Sequence, residues 1–473
     1  MNTFSLLNAR LLAVAFFGAA VFSPGTHADI IADWNQTARM YLSQYAESHY
    51  VRGMTMVAVA QFDAVNAIVG GYMPYALEIV APGASPEAAA AQAAFTVLTN
   101  ISRANLAMLN NAMNQSLTTV ADGPAKEAGL QIGRLAADRI IRLRAADHPD
   151  LVVNPPTSSA VGKWRLSPPN TTPGWGANSR YQLPWTLRSV ADFRPGPPPA
   201  ITSEQYAADF DEVRQLGAIN STNRTADQTE VANFHFGHEA TFVQAVLASR
   251  SLPLVESARA IALCYMSGAD GDYAFHEAQY AYSFWRPYTA IRLAGNDGNG
   301  ATEADPNWTP LLDTPNHPEY PSGTCTLTSA MVEALIASYG DDFSFTGDWP
   351  GAPKPREFAR LSAAVDEAVI ARIAAGAHFR TSCLAGVELG RRIARNTLGN
   401  FLRPIPRIEG SMNSSPSFQL HLHPGSAITY VVEASSDLAQ WTRWQTNVYG
   451  AIAFDTGVPG VGQRFYRLLL DFP

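Results

Sequence analysis

Three short stretches, far apart in the chain, carry the groups that a tetrahedral oxyanion calls for. The first reads Gln279-Tyr280-Ala281-Tyr282-Ser283-Phe284-Trp285-Arg286-Pro287, and the second Pro318-Glu319-Tyr320-Pro321-Ser322-Gly323-Thr324. The third reads Arg372-Ile373-Ala374-Ala375-Gly376-Ala377-His378. Guanidinium forks such as Arg286 and Arg372 pair with anion oxygens in bidentate fashion. A Ser322 hydroxyl and a Gly323 N–H at the start of a helix donate to the same charge. The imidazole of His378 can attack or ligate the central atom. A chain that uses these groups together must fold so that the three stretches converge.

Their order and spacing resemble the vanadium-dependent haloperoxidases and the type-2 phosphatidic acid phosphatase superfamily that contains them. That family's signature has three parts: Lys-x6-Arg-Pro, Pro-Ser-Gly-His and Ser-Arg-x5-His-x3-Asp. Arg286, Pro287, Pro321, Ser322, Gly323, Arg372 and His378 stand at matching positions. Four positions depart: Gln279 replaces the Lys, Thr324 the second-part His, Ala371 the Ser and Ser382 the final Asp. Phe284-Trp285-Arg286-Pro287, Thr289-Ala290-Ile291-Arg292 and Asp305-Pro306-Asn307-Trp308 resemble the bacterial branch of the family. The resemblance runs from about Asp33 to Phe401. It implies a mainly α chain, a helical bundle of the haloperoxidase and acid phosphatase type.

The resemblance also implies vanadate as cofactor, with His378 its ligand and phosphate able to occupy the same site. Arg286 and Arg372 would neutralise the equatorial oxygens, and Ser322 and Gly323 would complete the cradle. The small-molecule partners would then be peroxide and halide. In the phosphatase branch they would be a phosphoester, with His378 a nucleophile that becomes a phosphohistidine. A third alternative is a catalytically lapsed oxyanion-binding protein, because the departures fall on working groups. General acid–base catalysis contributes ~10²–10⁴-fold, and the Thr324 hydroxyl cannot supply it at neutral pH. Gln279 lacks the Lys charge but still donates hydrogen bonds. Ser382 removes the carboxylate expected to orient His378, leaving a hydroxyl to accept its N–H. His317, His276 and His238 are the histidines placed to compensate. His235-x2-His238 has a zinc-like spacing, but no third ligand follows in a recognisable pattern.

Composition narrows the remaining classes. The chain has 473 residues, 47% hydrophobic content and a net charge of −8, enough for a large core and without the clustered Lys and Arg of a nucleic-acid footprint. Residues 1–28 read as a signal peptide. Arg10 precedes an apolar run from Leu11 to Phe22, too short to span a bilayer, and Thr26-His27-Ala28 suits signal peptidase. No later apolar run is long enough to cross, so the expectation is a secreted or periplasmic protein cleaved near Ala28. Three cysteines, Cys264, Cys325 and Cys383, leave at least one thiol unpaired. A Cys325–Cys383 disulfide and three buried thiols are both open.

Periodicity places the helices. Helical spacing covers Ile31 to Ile68, with Gly70-Gly71 as its stop. Ser85-Pro86-Glu87 opens an Ala-rich helix, and another runs from about Pro124 to Arg144. Regular spacing fails across residues 147–202, where aromatics among the prolines favour an ordered wall or lid. Thr202 with Gln205, and Thr225 with Gln228, read as capping boxes, the latter opening a helix through Ser249. Leu254 to Ile291 reads as mostly one helix, which would put Gln279 and Arg286 on one face. Ser322 caps a helix reaching Tyr339, and Glu357 to Leu402 is helical with a break at Gly376. The helical domain therefore spans 29–403. Alternation, as in Phe418 to Leu422, marks residues 410–473 as a small C-terminal all-β sandwich.

Overall fold

The computed structural model describes residues 29–45, 47–171, 174–235, 241–348, 354–405, 407–412, 418–423, 429–447, 453–455 and 465–471. The expected signal peptide and His238 lie outside them. The described residues form α1 (Ile30–Leu42), α2 (Glu47–Val69), α3 (Pro86–Ile101), α4 (Leu106–Leu117), α5 (Pro124–Leu143), α6 (Glu204–Leu216) and α7 (Ala226–Phe234). There follow α8 (Thr241–Ser249), α9 (Leu254–Tyr282), α10 (Pro287–Arg292), α11 (Gly323–Tyr339), α12 (Ala363–Ala374) and α13 (Arg380–Asn400). A two-stranded ribbon, β1 (Phe345–Gly347) with β2 (Arg356–Phe358), joins α11 to α12.

Helix starts follow the capping chemistry. Ser85 Oγ accepts from Ala88 N at 3.2 Å with Pro86 in the first turn, and Thr225 and Gln228 form a reciprocal capping box. At α6 the cap is Ser203 rather than Thr202, its Oγ accepting from Tyr206 N at 3.2 Å. The long pattern from Ile31 to Ile68 is two helices, and the pattern opened by Thr225 is also divided, into α7 and α8. α4 was not expected; only Leu109 and Met113 of its residues are buried, so its apolar face is too thin to register in the sequence.

α9 lies at the centre, buried along nearly its whole length, with α2 on one side and α11 and α13 on the other. The seam between α11 and α13 matters most for the site. A side-chain carbon at Gly386 would lie 2.5 Å from the Ser322 carbonyl oxygen, so the absence of one lets α13 close onto the first turn of α11. Ser322 N also donates to Ser382 O at 3.1 Å. Between α5 and α6 the chain is irregular but pinned. Trp164 is buried and donates its backbone N–H to Ser283 O at 2.8 Å, while the Arg144 guanidinium stacks 4.1 Å over Trp185. No helix of the described residues is long and apolar enough to cross a membrane. Beyond the bundle, β3 (Arg407–Met412), β4 (Phe418–His423), β5 (Thr429–Ser435), β6 (Thr442–Asn447), β7 (Ala453–Asp455) and β8 (Phe465–Asp471) form two antiparallel sheets ordered β3-β4-β7 and β6-β5-β8.

Candidate oxyanion site

α9 does not continue to Ile291. It stops at Tyr282, with Ser283 left-handed at φ 48°, and Arg286 is the N-cap of α10. The cause is local. Pro287 disfavours helical geometry in the residue before it, and Arg286 is extended at φ −78°, ψ 155°. Gln279 and Arg286 therefore do not share a helix face as their spacing implied, yet both reach His317. The Arg286 side chain, fully buried, donates from Nε to His317 O at 2.8 Å and from Nη1 to Ala377 O at 3.0 Å. Nη1 also lies 2.9 Å from His378 Nε2.

That contact fixes a protonation pattern. A guanidinium only donates, so His378 Nε2 is an acceptor and the ring proton sits on Nδ1. Nδ1 then donates to Glu319 Oε1 at 3.1 Å, an oxygen that also accepts from Phe379 N at 3.0 Å. Ser382 Oγ stands farther from Nδ1, at 3.4 Å, and donates to the Glu319 backbone carbonyl at 3.2 Å. Glu319, not Ser382, supplies the group that orients His378, a role the sequence reading did not assign. The same logic runs through the other polar wall. Gln279 Nε2 donates to Pro321 O at 2.7 Å, which turns Oε1 toward His317 Nδ1 at 2.5 Å. His317 then carries its proton on Nδ1, and Arg286 Nη2, 3.2 Å from both ring nitrogens, donates to Nε2.

Burial sets the charges. Removal from water, with Arg286 and Arg372 nearby, holds both His317 and His378 well below the ordinary imidazole range, so both are neutral. Burial pushes the Glu319 carboxyl up to about 8 against the attraction of Arg286. Burial also lowers Arg286, to about 9, which leaves it charged at neutral pH.

Gly323, Thr324, Arg372, His317 and His378 share the wall of one cavity of about 230 Å³. Gln279, Arg286 and Ser322 stand behind that wall, fully buried. Ser322 is the N-cap of α11, its Oγ 3.5 Å from Cys325 N. Arg372 closes α12, and the turn at Gly376, left-handed at φ 75°, brings His378 back to the same cavity. His276 is buried behind His317, ring centroids 5.6 Å apart, with Nδ1 3.0 Å from Asp272 O; it does not reach the cavity. His235 Nε2 lies 3.3 Å from Glu367 Oε2, and among the described residues no group of three acidic, His or Cys side chains is arranged to hold a metal ion. All three cysteines are buried and none is in a disulfide, so Cys325 and Cys383 are not bridged. Trp175 and Phe275 also line the cavity. The sequence offered little sign of this for Phe275, one apolar residue on a long helix. Glu319 did carry a signal, a carboxylate set among Pro318, Tyr320 and Pro321 directly before the Ser-Gly turn.

Comparison with known proteins bears on the fold that carries these residues. Residues 259–405, which contain all three stretches, match a family model described as the VCPO second helical-bundle domain. A crystal structure titled the first bacterial vanadium-dependent iodoperoxidase superposes with a TM-score of 0.68 at 21% identity, covering 80% of this chain and 98% of that one. The holo-type bacterial vanadium-dependent chloroperoxidase gives 0.60 at 16% identity, covering 74% and 90%, and the apo-type gives 0.59 at 16%, covering 74% and 92%. No curated protein matches the sequence. Residues 259–405 are a VCPO second helical-bundle domain, set in a chain with the fold of the bacterial vanadium haloperoxidases.

Proposed function

We propose that the chain is an exported vanadium-dependent haloperoxidase-like enzyme that holds vanadate at His378 and uses hydrogen peroxide to oxidise halide. The observation that carries this reading is the convergence of a neutral His378 with Arg286 at 2.9 Å and with Arg372 on one cavity wall. The donor set fits a tetrahedral oxyanion. His378 Nε2 offers a lone pair, held in that tautomer by Glu319. Arg286 and Arg372 supply the balancing charge, and the Ser322 hydroxyl and Gly323 N–H supply hydrogen bonds at the start of α11. When bound, vanadate would activate peroxide toward halide as a Lewis acid. Arg286 Nη1 donates to His378 Nε2, so occupying that nitrogen requires the guanidinium to turn its N–H toward the anion. The neutral His317 is the imidazole on the cavity wall that stands nearest in role to the missing histidine at 324.

A phosphatase reading shares these residues. A neutral imidazole whose Nε2 lone pair Arg286 releases toward the cavity is also a nucleophile for phosphoryl transfer. Thr324 and Gln279, standing where the family has His and Lys, favour instead a lapsed oxyanion-binding protein. One set of assays separates the three. Protein given orthovanadate, bromide, peroxide and monochlorodimedone should brominate the dye, and His378→Ala should abolish this. p-Nitrophenyl phosphate turnover without vanadate would support the phosphatase. Silence in both, with vanadate still raising the melting temperature, would support the third and end the proposal of an active peroxidase.

A further inference from the structure

The oxyanion groups do not make up the whole wall of their cavity. Trp175, Phe275 and Leu327, three apolar side chains from three elements, line it beside them. Phe275 is buried on α9 and packs against the first turn of α11; a side-chain carbon at Gly323 would fall 2.8 Å from its ring. Leu327 follows Gly323 by one turn of α11, so it shares that face. Trp175 belongs to the irregular segment and is 43% exposed, a large ring left at the mouth.

Its placement is built rather than incidental. Trp175 N donates to Asn316 O at 3.0 Å, Tyr280 Oη donates to Trp175 O at 2.6 Å, and Asn170 Nδ2 donates to Thr314 O at 2.9 Å. These bonds clamp the segment onto α9 and onto the loop before the Ser-Gly turn. The indole meets His317 edge to face, centroids 4.8 Å apart, so one ring touches both the polar floor and the opening. Gly174 permits the clamp, because a side-chain carbon there would lie 2.7 Å from the Trp164 ring and 3.1 Å from Asn316 O.

Volume bounds what the cavity can take. An apolar cavity of about 150 Å³ accommodates benzene, whereas pockets for drug-sized ligands begin near ~300 Å³. The cavity of about 230 Å³ therefore exceeds the need of a tetrahedral anion and falls short of a second ring. We propose that the site accepts one aromatic-ring-sized apolar group next to its tetrahedral oxyanion, held between Trp175, Phe275 and Leu327. This rests on the oxyanion reading of His378, Arg286 and Arg372. It adds a substrate class: in a peroxidase the ring is the organic acceptor of the oxidised halogen, and in a phosphatase it is the alcohol side of the ester.

Phosphonates test this without turnover. Phenylphosphonate should bind the vanadate-free protein at least about tenfold more tightly than methylphosphonate, by calorimetry, because the ring removes apolar surface from water. A biphenyl phosphonate should lose that advantage for lack of room. Trp175→Ala, at a half-exposed loop position, should shrink the phenyl-to-methyl ratio, and Leu327→Trp should bring it toward one by filling the space. Equal affinity for the two small phosphonates, with vanadate still bound, would overturn the ring site and leave the oxyanion reading standing. Failure of vanadate and both phosphonates to bind would overturn the two together.

Discussion

A single buried carboxyl group decides how His378 presents itself. Glu319 Oε1 fixes the Nδ1–H tautomer, and groups that orient a metal-binding histidine change metal affinity by ~10–100-fold when removed. Glu319→Ala should weaken vanadate binding by about that factor, whereas Glu319→Gln, whose amide oxygen still accepts, should lose less. Equal losses in both variants would show that an accepting oxygen on Nδ1–H is not what the site needs. The same residue predicts a pH dependence. Its folded value, about 8, lies above the ordinary 4.5, so the folded protein holds a proton that the unfolded chain has released. Stability is then lost as pH rises toward 8. His317 and His378 act in the opposite direction, but only below their ordinary 6.5. Between pH 6.5 and 8 the wild type should lose stability, and Glu319→Gln should flatten that slope; parallel urea midpoints across the window would refute the assignment. Thr324→His restores an acid–base group to the cavity wall and should raise turnover by about tenfold or more, read in the dye assay; no gain with vanadate bound would mean that more than an acid is missing. The Arg286, Arg372 and His378 assembly was legible from the three sequence stretches. Glu319 was marked only by its place before the Ser-Gly turn; that it orients His378 depends on a contact across 59 residues.

At the level of elements, Arg286 reaches the site through a break that periodicity concealed. The apolar spacing continues past Tyr282, but Pro287 imposes extended geometry on Arg286 and ends α9 early. The turn at Gly376 was readable for the converse reason: six residues separate Arg372 from His378, and a continuous helix cannot point both one way. The seam between α11 and α13 carries a prediction of its own. Gly386→Val inserts atoms where Ser322 O already stands 2.5 Å from an added carbon, which should cost ~1–3 kcal/mol and loosen the cradle. Gly399→Ala, on the same helix with open space around it, should be neutral or stabilising by up to about 1 kcal/mol. Thermal melts of the two variants decide this; equal destabilisation would mean that helix propensity, not the seam, governs α13.

For the whole molecule, helical architecture and family resemblance were readable because three motif words occur in order over most of the chain. α4 and the division of the first helical stretch were not, since both depend on packing rather than on a local signal. The cysteines report on the fold as a unit. With Cys264, Cys325 and Cys383 buried as thiols, intact mass after unfolding in alkylating reagent without reductant should show three labels, and a single label would reveal a bridge. The account as a whole rests on three distant segments meeting at one anion. Vanadium content after reconstitution with orthovanadate and removal of excess tests it most directly. Wild-type protein should retain one vanadium per chain, and His378→Ala should retain almost none. A wild type that holds no vanadium, or a variant that holds as much as wild type, would contradict the account.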